Sequence, residues 1–212
     1  MTAIKTQTKM LSIVPEDLPP RDAYRLMLSV VAPRPIAWVS TIGADGTLNL
    51  APFSFFNGVG GTPPTIMFSV GQRKGKAKDT LRNVQETGEF VVNIVSEELA
   101  EAMNITSGEW EYEVNEFELA GLETAPSVDV KPPRVALAPV AMEAKVTQIV
   151  PVIGTTSTMV LGRILRYHIR EEMLRSNGLV DATLVRPITR LGGDEYATIG
   201  RVFSMARPRV QQ

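Results

Sequence analysis

The sequence lacks the residues on which several classes of protein chemistry depend. It contains no cysteine and one histidine, His168, among 212 residues. Without cysteine there is no disulfide, no thiolate nucleophile and no cysteine-based metal site. One histidine cannot build a histidine-rich centre, so we expect no metal site in this protein.

Long apolar runs and an excess of one charge are also missing. No apolar run reaches the roughly 18 residues that a membrane-spanning helix needs, and residues 1–10 lack the apolar core of a secretory signal. The 22 basic residues balance the 23 acidic ones, which leaves a net charge of −1. That balance favours neither nucleic acid nor an anionic membrane as a partner. We therefore expect a cytoplasmic enzyme or binding protein in which any recognition of an anion is local.

Short apolar runs separated by turn signals make up most of the chain. An Asp-Gly turn at residues 44–46 predicts a hairpin, and Gly58 to Gly61 is interpreted as a flexible loop. The expected strands are 36–42, 47–53, 65–70, 90–95, 140–150, 158–169 and 196–204. Few long helices accompany them, which favours a mainly β, antiparallel, closed or partly closed barrel with small helices outside. We place one domain at 20–205, between an N-terminal arm at 1–19 and a C-terminal tail at 206–212.

A basic loop before a predicted helix is the first candidate binding site. Four basic residues lie between positions 73 and 78, and the helix is expected to begin at Asp79, with that carboxylate as its cap. The N–H groups at a helix start favour an anion, and Thr80 adds a hydroxyl. Arg73 and Lys78 could form charge-assisted bonds to a phosphate. A solvated loop is the alternative interpretation.

Hydroxyls at the ends of predicted strands are the second candidate feature. Ser40, Thr41, Ser54 and Ser69 all occupy such positions, where the mouths of barrels hold ligands. Ordinary turn chemistry and β propensity also account for each of them taken singly.

Five segments, in order along the chain, resemble motifs of the flavin reductase-like, FMN-binding split-barrel family. They are Arg34–Thr41, Asn49–Phe56, Lys78–Asn83, Glu89–Asn93 and Arg190–Gly193. The resemblance is closest to the flavoredoxin and monooxygenase reductase-component branch. It implies a homodimer of six-stranded antiparallel Greek-key split barrels with one FMN near each subunit interface.

The same resemblance assigns the site. It implies that hydroxyls after the first strand contact the flavin, that a Pro-Phe-Ser turn lies against the ring, and that the basic loop holds the phosphate. The cofactor-binding residues implied are Ser40, Thr41, Pro52, Phe53, Ser54, Phe55, Ser69, Arg73, Lys78, Asp79 and Thr80. No catalytic residue is implied, because the flavin itself carries out the chemistry.

The function implied is NAD(P)H-dependent flavin reduction, with electrons passed to free flavin or to a partner such as a flavin-dependent oxygenase. NADH and NADPH are equally compatible with the sequence. Residues 154–164 lack the histidine that small reductases of this family often place against the nicotinamide. His168 is interpreted as a hydrogen-bonded histidine at an interface or on the barrel exterior. Two alternatives stay open: a non-enzymatic FMN carrier or binding module, and a split barrel for another planar ligand such as haem or a pyridoxal-type phosphate.

Overall fold

Seven antiparallel strands form the main sheet of the protein. The computed structural model describes residues 9–73 and 75–208, without the side chains of Arg73 and Lys76. The strands are β1 Ala37–Ile42, β2 Leu48–Phe53, β3 Phe56–Gly61, β4 Pro64–Val70, β5 Glu89–Ile94, β6 Val140–Pro151 and β7 Thr158–Ile169. Their order in the sheet is β2-β1-β5-β6-β7-β4-β3.

The sheet curls because its two edge strands are consecutive in the chain. Only Ser54 and Phe55 separate the end of β2 from the start of β3, so opposite edges of the sheet must meet there. Phe53 of β2 packs against Phe68 of β4 with ring centroids 5.3 Å apart. The N–H of Ser69 donates to the carbonyl of Phe55 at 2.9 Å. The expectation of a mainly β, barrel-like architecture with small helices is confirmed.

The prediction of a flexible loop at Gly58 to Gly61 is wrong, because these residues belong to edge strand β3. The main sheet therefore has seven strands instead of the six that the resemblance implied. β3 pairs with β4, with Phe56 opposite Phe68 and a register shift between Gly58 and Gly60. Glycine weakens a strand because it adds no side-chain packing. As an edge strand, β3 nevertheless needs only the backbone hydrogen bonds of one neighbour, and periodicity alone could not reveal them.

Small helices and short strands surround the barrel. The α-helices are α1 Pro20–Val30, α2 Asp79–Thr87, α3 Ala100–Ile105, α4 Glu116–Leu119 and α5 Ala182–Val185. The 3₁₀ helices are Pro15–Asp17, Glu97–Leu99 and Glu171–Met173. Two-residue strands occur at Arg34–Pro35, Gln72–Arg73, Lys76–Ala77, Thr124–Ala125, Arg134–Val135, Thr189–Arg190 and Tyr196–Ala197. No helix of the described residues is long and apolar enough to cross a membrane.

Two hydrophobic cores lie on opposite faces of β1. Val39 points into the barrel with Phe68 and Phe90, whereas Trp38 points outward and packs with Met103 and Phe117 of the covering helices. Successive strand residues face opposite sides of a sheet, so a strand covered on both faces reads as one continuous apolar run. This explains why the run beginning at residue 36 shows no polar alternation.

Helix α2 packs its inward face against the barrel interior and presents its N-terminus to solvent. Leu81 and Val84 belong to the interior core, and Gly88 ends the helix in the left-handed conformation, with φ of 70°. The expectation that Asp79 caps the helix is wrong: Lys78 is the N-cap residue and makes no side-chain capping bond, and Asp79 is the first helical residue. The N-terminal N–H groups are thus not satisfied by a cap side chain.

The last predicted strand is also wrong in extent. Regular structure covers only Tyr196–Ala197, which pairs with Thr189–Arg190, instead of the whole of 196–204. Val202 and Phe203 beyond it are 54% and 68% exposed. These residues have high β propensity, but they pair with no neighbouring strand in the described chain. β propensity does not form a strand without such pairing.

A buried carboxylate holds the loop before β6 against the barrel. Glu143 is fully buried; its Oε1 accepts from the N–H of Val128, and its Oε2 accepts from those of Asp129 and Val130. His168 Nε2 lies 2.5 Å from Oε1, which confirms the expectation that His168 is hydrogen-bonded. Burial by itself raises the pKa of Glu143, but the bonds from His168, Asp129 and Val128 outweigh it and hold that pKa below its ordinary value.

Candidate functional site

The first cavity lies between β2, the start of α2 and residues 106–112. Its volume is about 500 Å³. Asn49, Ala51 and Pro52 of β2 form one wall, and Lys78, Asp79 and Thr80 form the next. Residues 106–112, Glu116 of α4, Ala77 and Arg82 complete the lining. Three segments that are distant in the chain therefore meet in one cavity, and two of them belong to the sequence motifs.

The start of α2 gives this cavity its capacity to hold an anion. Lys78 is exposed, and its ammonium lies 5.9 Å from the centroid of the Phe53 ring. A helix N-terminus without a capping side chain offers N–H donors and the positive end of the helix dipole. The α2 terminus and Lys78 together can bind a phosphate through charge-assisted hydrogen bonds.

A buried polar network orients the residues behind this wall. Asn49 donates its amide to the Thr80 hydroxyl at 2.9 Å, so the hydroxyl proton of Thr80 stays available as a donor. Asn83 donates to the Thr41 hydroxyl at 3.1 Å. The hydroxyl oxygen of Ser40 and the amide oxygen of Asn83 are buried without a hydrogen-bond partner in the described structure. Such unsatisfied atoms are uncommon in folded proteins, and they mark this region as more polar than packing alone requires.

The wall opposite α2 is held by contacts to Tyr112. The Arg82 guanidinium lies over the Tyr112 ring, 3.5 Å from its centroid, a favourable cation–π geometry. The Tyr112 hydroxyl donates to Asp45 Oδ1 at 2.9 Å. A bond from the Thr47 backbone N–H, followed by this Tyr112 bond, lowers the pKa of Asp45 below its ordinary value. These contacts hold Tyr112 beside the cavity, and no pattern in the sequence indicated them.

Glu116 is the second lining residue that sequence reasoning missed. It lies within an acidic run at residues 109–118, yet only 7% of its surface is exposed. Its Oε2 accepts from the Leu50 N–H at 3.0 Å. Burial raises the pKa of Glu116 to about 7, partly offset by the Leu50 bond and assisted by the negative charge of Asp79. The neighbouring glutamates in the sequence gave no signal that this one points inward.

A second cavity, of about 630 Å³, lies on the other side of the Pro52–Ser54 corner. Ser54, Phe55 and Ser69 line it together with apolar residues of α1, among them Tyr24 and Met27. Most of its surface is apolar, with a row of hydroxyls at residues 155–157. It can accommodate a flat apolar group flanked by hydrogen-bonding hydroxyls.

Arg34 lines this second cavity, but its guanidinium is hydrogen-bonded to the backbone. Its guanidinium donates to the backbone carbonyls of Leu28, Val31 and Leu191, and only 4% of the residue is exposed. These bonds attach the end of α1 to the barrel. The charge of Arg34 is therefore largely unavailable to a ligand in the cavity.

The structure distributes the predicted site residues over two cavities and the core. Pro52, Lys78, Asp79 and Thr80 line the first cavity, and Ser54, Phe55 and Ser69 line the second. Ser40, Thr41 and Phe53 are buried and line neither cavity. The side chain of Arg73 lies outside the described part of the structure. The residues that line the first cavity suit a ligand with an anionic tail. The second cavity suits a flat ring, and Pro52 and Ser54 lie between the two cavities.

Comparison with known proteins yields a family and several close relatives. The family model for the flavin reductase like domain matches residues 29–187. Protein BH2278 of Halalkalibacterium halodurans is 39% identical over 207 residues, which cover 95% of this chain and 99% of that protein.

Two solved structures share both fold and sequence with the chain. Nitrilotriacetate monooxygenase component B from Bacillus cereus superimposes with a TM-score of 0.90 at 36% identity, covering 94% of this chain and 100% of that one. The 2-nitrobenzoate 2-nitroreductase NbaA of Pseudomonas fluorescens gives a TM-score of 0.84 at 33% identity, covering 93% and 96%.

Proposed function

Because the chain belongs to the flavin reductase-like domain family, we propose that it is an FMN-binding oxidoreductase. One observation carries the proposal: Lys78 and the uncapped N-terminus of α2 meet Pro52 in the first cavity. A cation, helix N–H donors and an apolar wall are the groups that a phosphorylated flat ligand needs.

The chain's own residues divide the work of binding. Lys78 and the first N–H groups of α2 hold the phosphate, and Thr80, oriented by Asn49, donates its hydroxyl proton. Pro52 lines the first cavity and Ser54 the second, and the corner that they form would support the ring of the flavin. The flavin, when bound, supplies the hydride and electron chemistry, so the protein needs no acid or base of its own for that step.

Reduced nicotinamide is the proposed electron donor, and free flavin or a partner oxygenase the acceptor. The similarity to component B of a monooxygenase supports a role in delivering electrons. Purified protein should show a flavin absorption spectrum, either as isolated or after FMN is added. Anaerobic mixing with NADH and with NADPH in separate experiments should bleach that spectrum.

The outcomes separate the alternatives. Bound flavin that neither nucleotide reduces indicates an electron carrier or a binding module. A haem or pyridoxal-type spectrum, or a protein with no affinity for FMN, would rule out the proposal.

Reduction of a small aromatic compound is a second candidate activity. The apolar second cavity beside the corner favours it, and a nitroreductase is among the similar structures. Under steady-state conditions with reduced nicotinamide, turnover of 2-nitrobenzoate would support this activity. Consumption of nucleotide only when free flavin is added would exclude it.

We also propose that the protein is a homodimer. None of the residues of α1 is buried, and Tyr24, Met27 and Val30 are 52%, 41% and 72% exposed. An apolar helix face left open in this way is typical of an interaction surface. Light scattering should give twice the mass of the 23.2 kDa chain, and Val30→Glu should halve it. A monomeric wild type would contradict this proposal.

A further inference from the structure

Glu116 occupies a position in the first cavity that packing does not require. It lies at the first residue of α4, almost fully buried, and its carboxylate accepts the Leu50 N–H from β2. A glutamine would satisfy that N–H equally well without burying a charge, and burying a charge is costly. The hydrogen bond to Leu50 therefore does not by itself explain why an ionisable side chain occupies this position.

The charged and titratable groups that share the cavity with Glu116 come from two elements. Two cations and three acidic groups line it beside Tyr112. They are Lys78, the N-cap residue of α2, Asp79 and Arg82 of α2, and Glu109, Glu111 and Tyr112 of residues 106–112. On its own helix, Glu118 is exposed and accepts a bond from Asn115. Arg82 stacks on Tyr112 and forms ion pairs with Asp45 and Glu86. Its charge is therefore partly neutralised by groups other than Glu116.

The start of α2 and Glu116 line the same cavity. Asp79, at that start, adds to the rise in the pKa of Glu116, which burial brings to about 7. A phosphate held at the same helix start carries up to two negative charges. It must act on Glu116 in the same direction as Asp79, because like charges disfavour the ionised form.

We propose that Glu116 takes up one proton from solvent when the FMN phosphate binds at the start of α2. The inference rests on the proposed function and adds to it that FMN affinity is linked to pH through this side chain. Above neutral pH, free protein holds Glu116 largely ionised, and binding must neutralise it. Riboflavin has no phosphate and should bind without this proton uptake.

The test is calorimetric titration of the protein with FMN at pH 8 in buffers of different ionisation enthalpy. The wild type should take up between about 0.5 and 1 proton per FMN. Glu116→Gln should take up none, because it keeps the acceptor for the Leu50 N–H but cannot ionise. Glu118→Gln, on the same helix and exposed, is the matched control and should behave as wild type. The phosphate's own second ionisation, near pH 6, is complete at pH 8 and does not contribute.

Affinity supplies a second readout. Glu116→Gln should bind FMN as the wild type does at pH 6, and roughly three- to tenfold more tightly at pH 8. Should the variant fold poorly, the wild type alone decides the question through the difference in proton uptake between FMN and riboflavin. FMN binding without that difference would overturn this inference and leave the proposed function intact. An absence of FMN binding would overturn both.

Discussion

Replacing Glu143 by glutamine tests how the protein holds the loop before β6. Four donors surround this carboxylate: the N–H groups of Val128, Asp129 and Val130, and His168 Nε2. A glutamine amide replaces one oxygen by an NH₂ group, which faces backbone N–H donors in either orientation. The less costly orientation places the NH₂ beside Val128 and His168, because a neutral imidazole nitrogen can accept a bond.

The loss of unfolding free energy in Glu143→Gln follows from these contacts. At least one backbone N–H loses its partner, at a cost of about 1–3 kcal/mol. The other N–H groups exchange a charged acceptor for a neutral one, which forms roughly half as strong a bond. We expect a total loss of about 2–4 kcal/mol, or roughly 4–16 °C in Tm for a domain of this size. Thermal and denaturant unfolding measure it, and Glu172→Gln, at an exposed site, should stay within about 0.5 kcal/mol of wild type.

The stability that Glu143 contributes depends on pH with a defined sign. The pKa of Glu143 is lowered in the folded protein from its ordinary value of 4.5, so its ionised form contributes stability above that value. The contribution is lost as the pH falls through the folded pKa. The stability difference between wild type and Glu143→Gln should therefore be full at pH 7 and shrink as the pH drops below about 4.5. A difference that is negligible at pH 7, or that grows on acidification, would refute the reasoning.

Two further predictions concern the cofactor and the core. Lys78→Ala should weaken FMN binding by more than about tenfold, since a charge-assisted bond contributes about 1.5–3 kcal/mol, and should leave riboflavin binding nearly unchanged. Fluorescence titrations measure both affinities, with Lys131→Ala as the surface control. Equal losses for both ligands would place Lys78 away from the phosphate. Gly162→Ala should destabilise the fold by about 1–3 kcal/mol, because a Cβ there would lie 2.3 Å from the Phe90 ring, and an unchanged unfolding midpoint would contradict that packing.

Local patterns in the sequence predicted most of the regular structure. The hairpin about residues 44–46, helix α2 at 79–87 and the long strand at 158–169 were recognised because turn residues and apolar periodicity are local signals. The edge strand β3 was missed because its glycines carry no periodicity, and the strand expected over 196–204 failed because pairing is not local. The domain bounds and the dimer remain predictions.

The candidate site shows the same division. Short motifs identified Pro52, Lys78, Asp79 and Thr80 before the structure brought them together in one cavity. The placement of Ser54 and Ser69 on the far side of the corner, and the burial of Ser40 and Thr41, depended on how the barrel edges close. The order of residues within a segment cannot specify that closure.

The sequence by itself determined the chemistry available: no thiol, one histidine, a basic loop before a helix, and motifs that identify a family. Tertiary structure alone decided which of those groups share a cavity, and which of many similar glutamates lie buried, as Glu116 and Glu143 do. The physical reason is that side-chain identity is encoded residue by residue, whereas desolvation depends on what distant segments pack around each side chain.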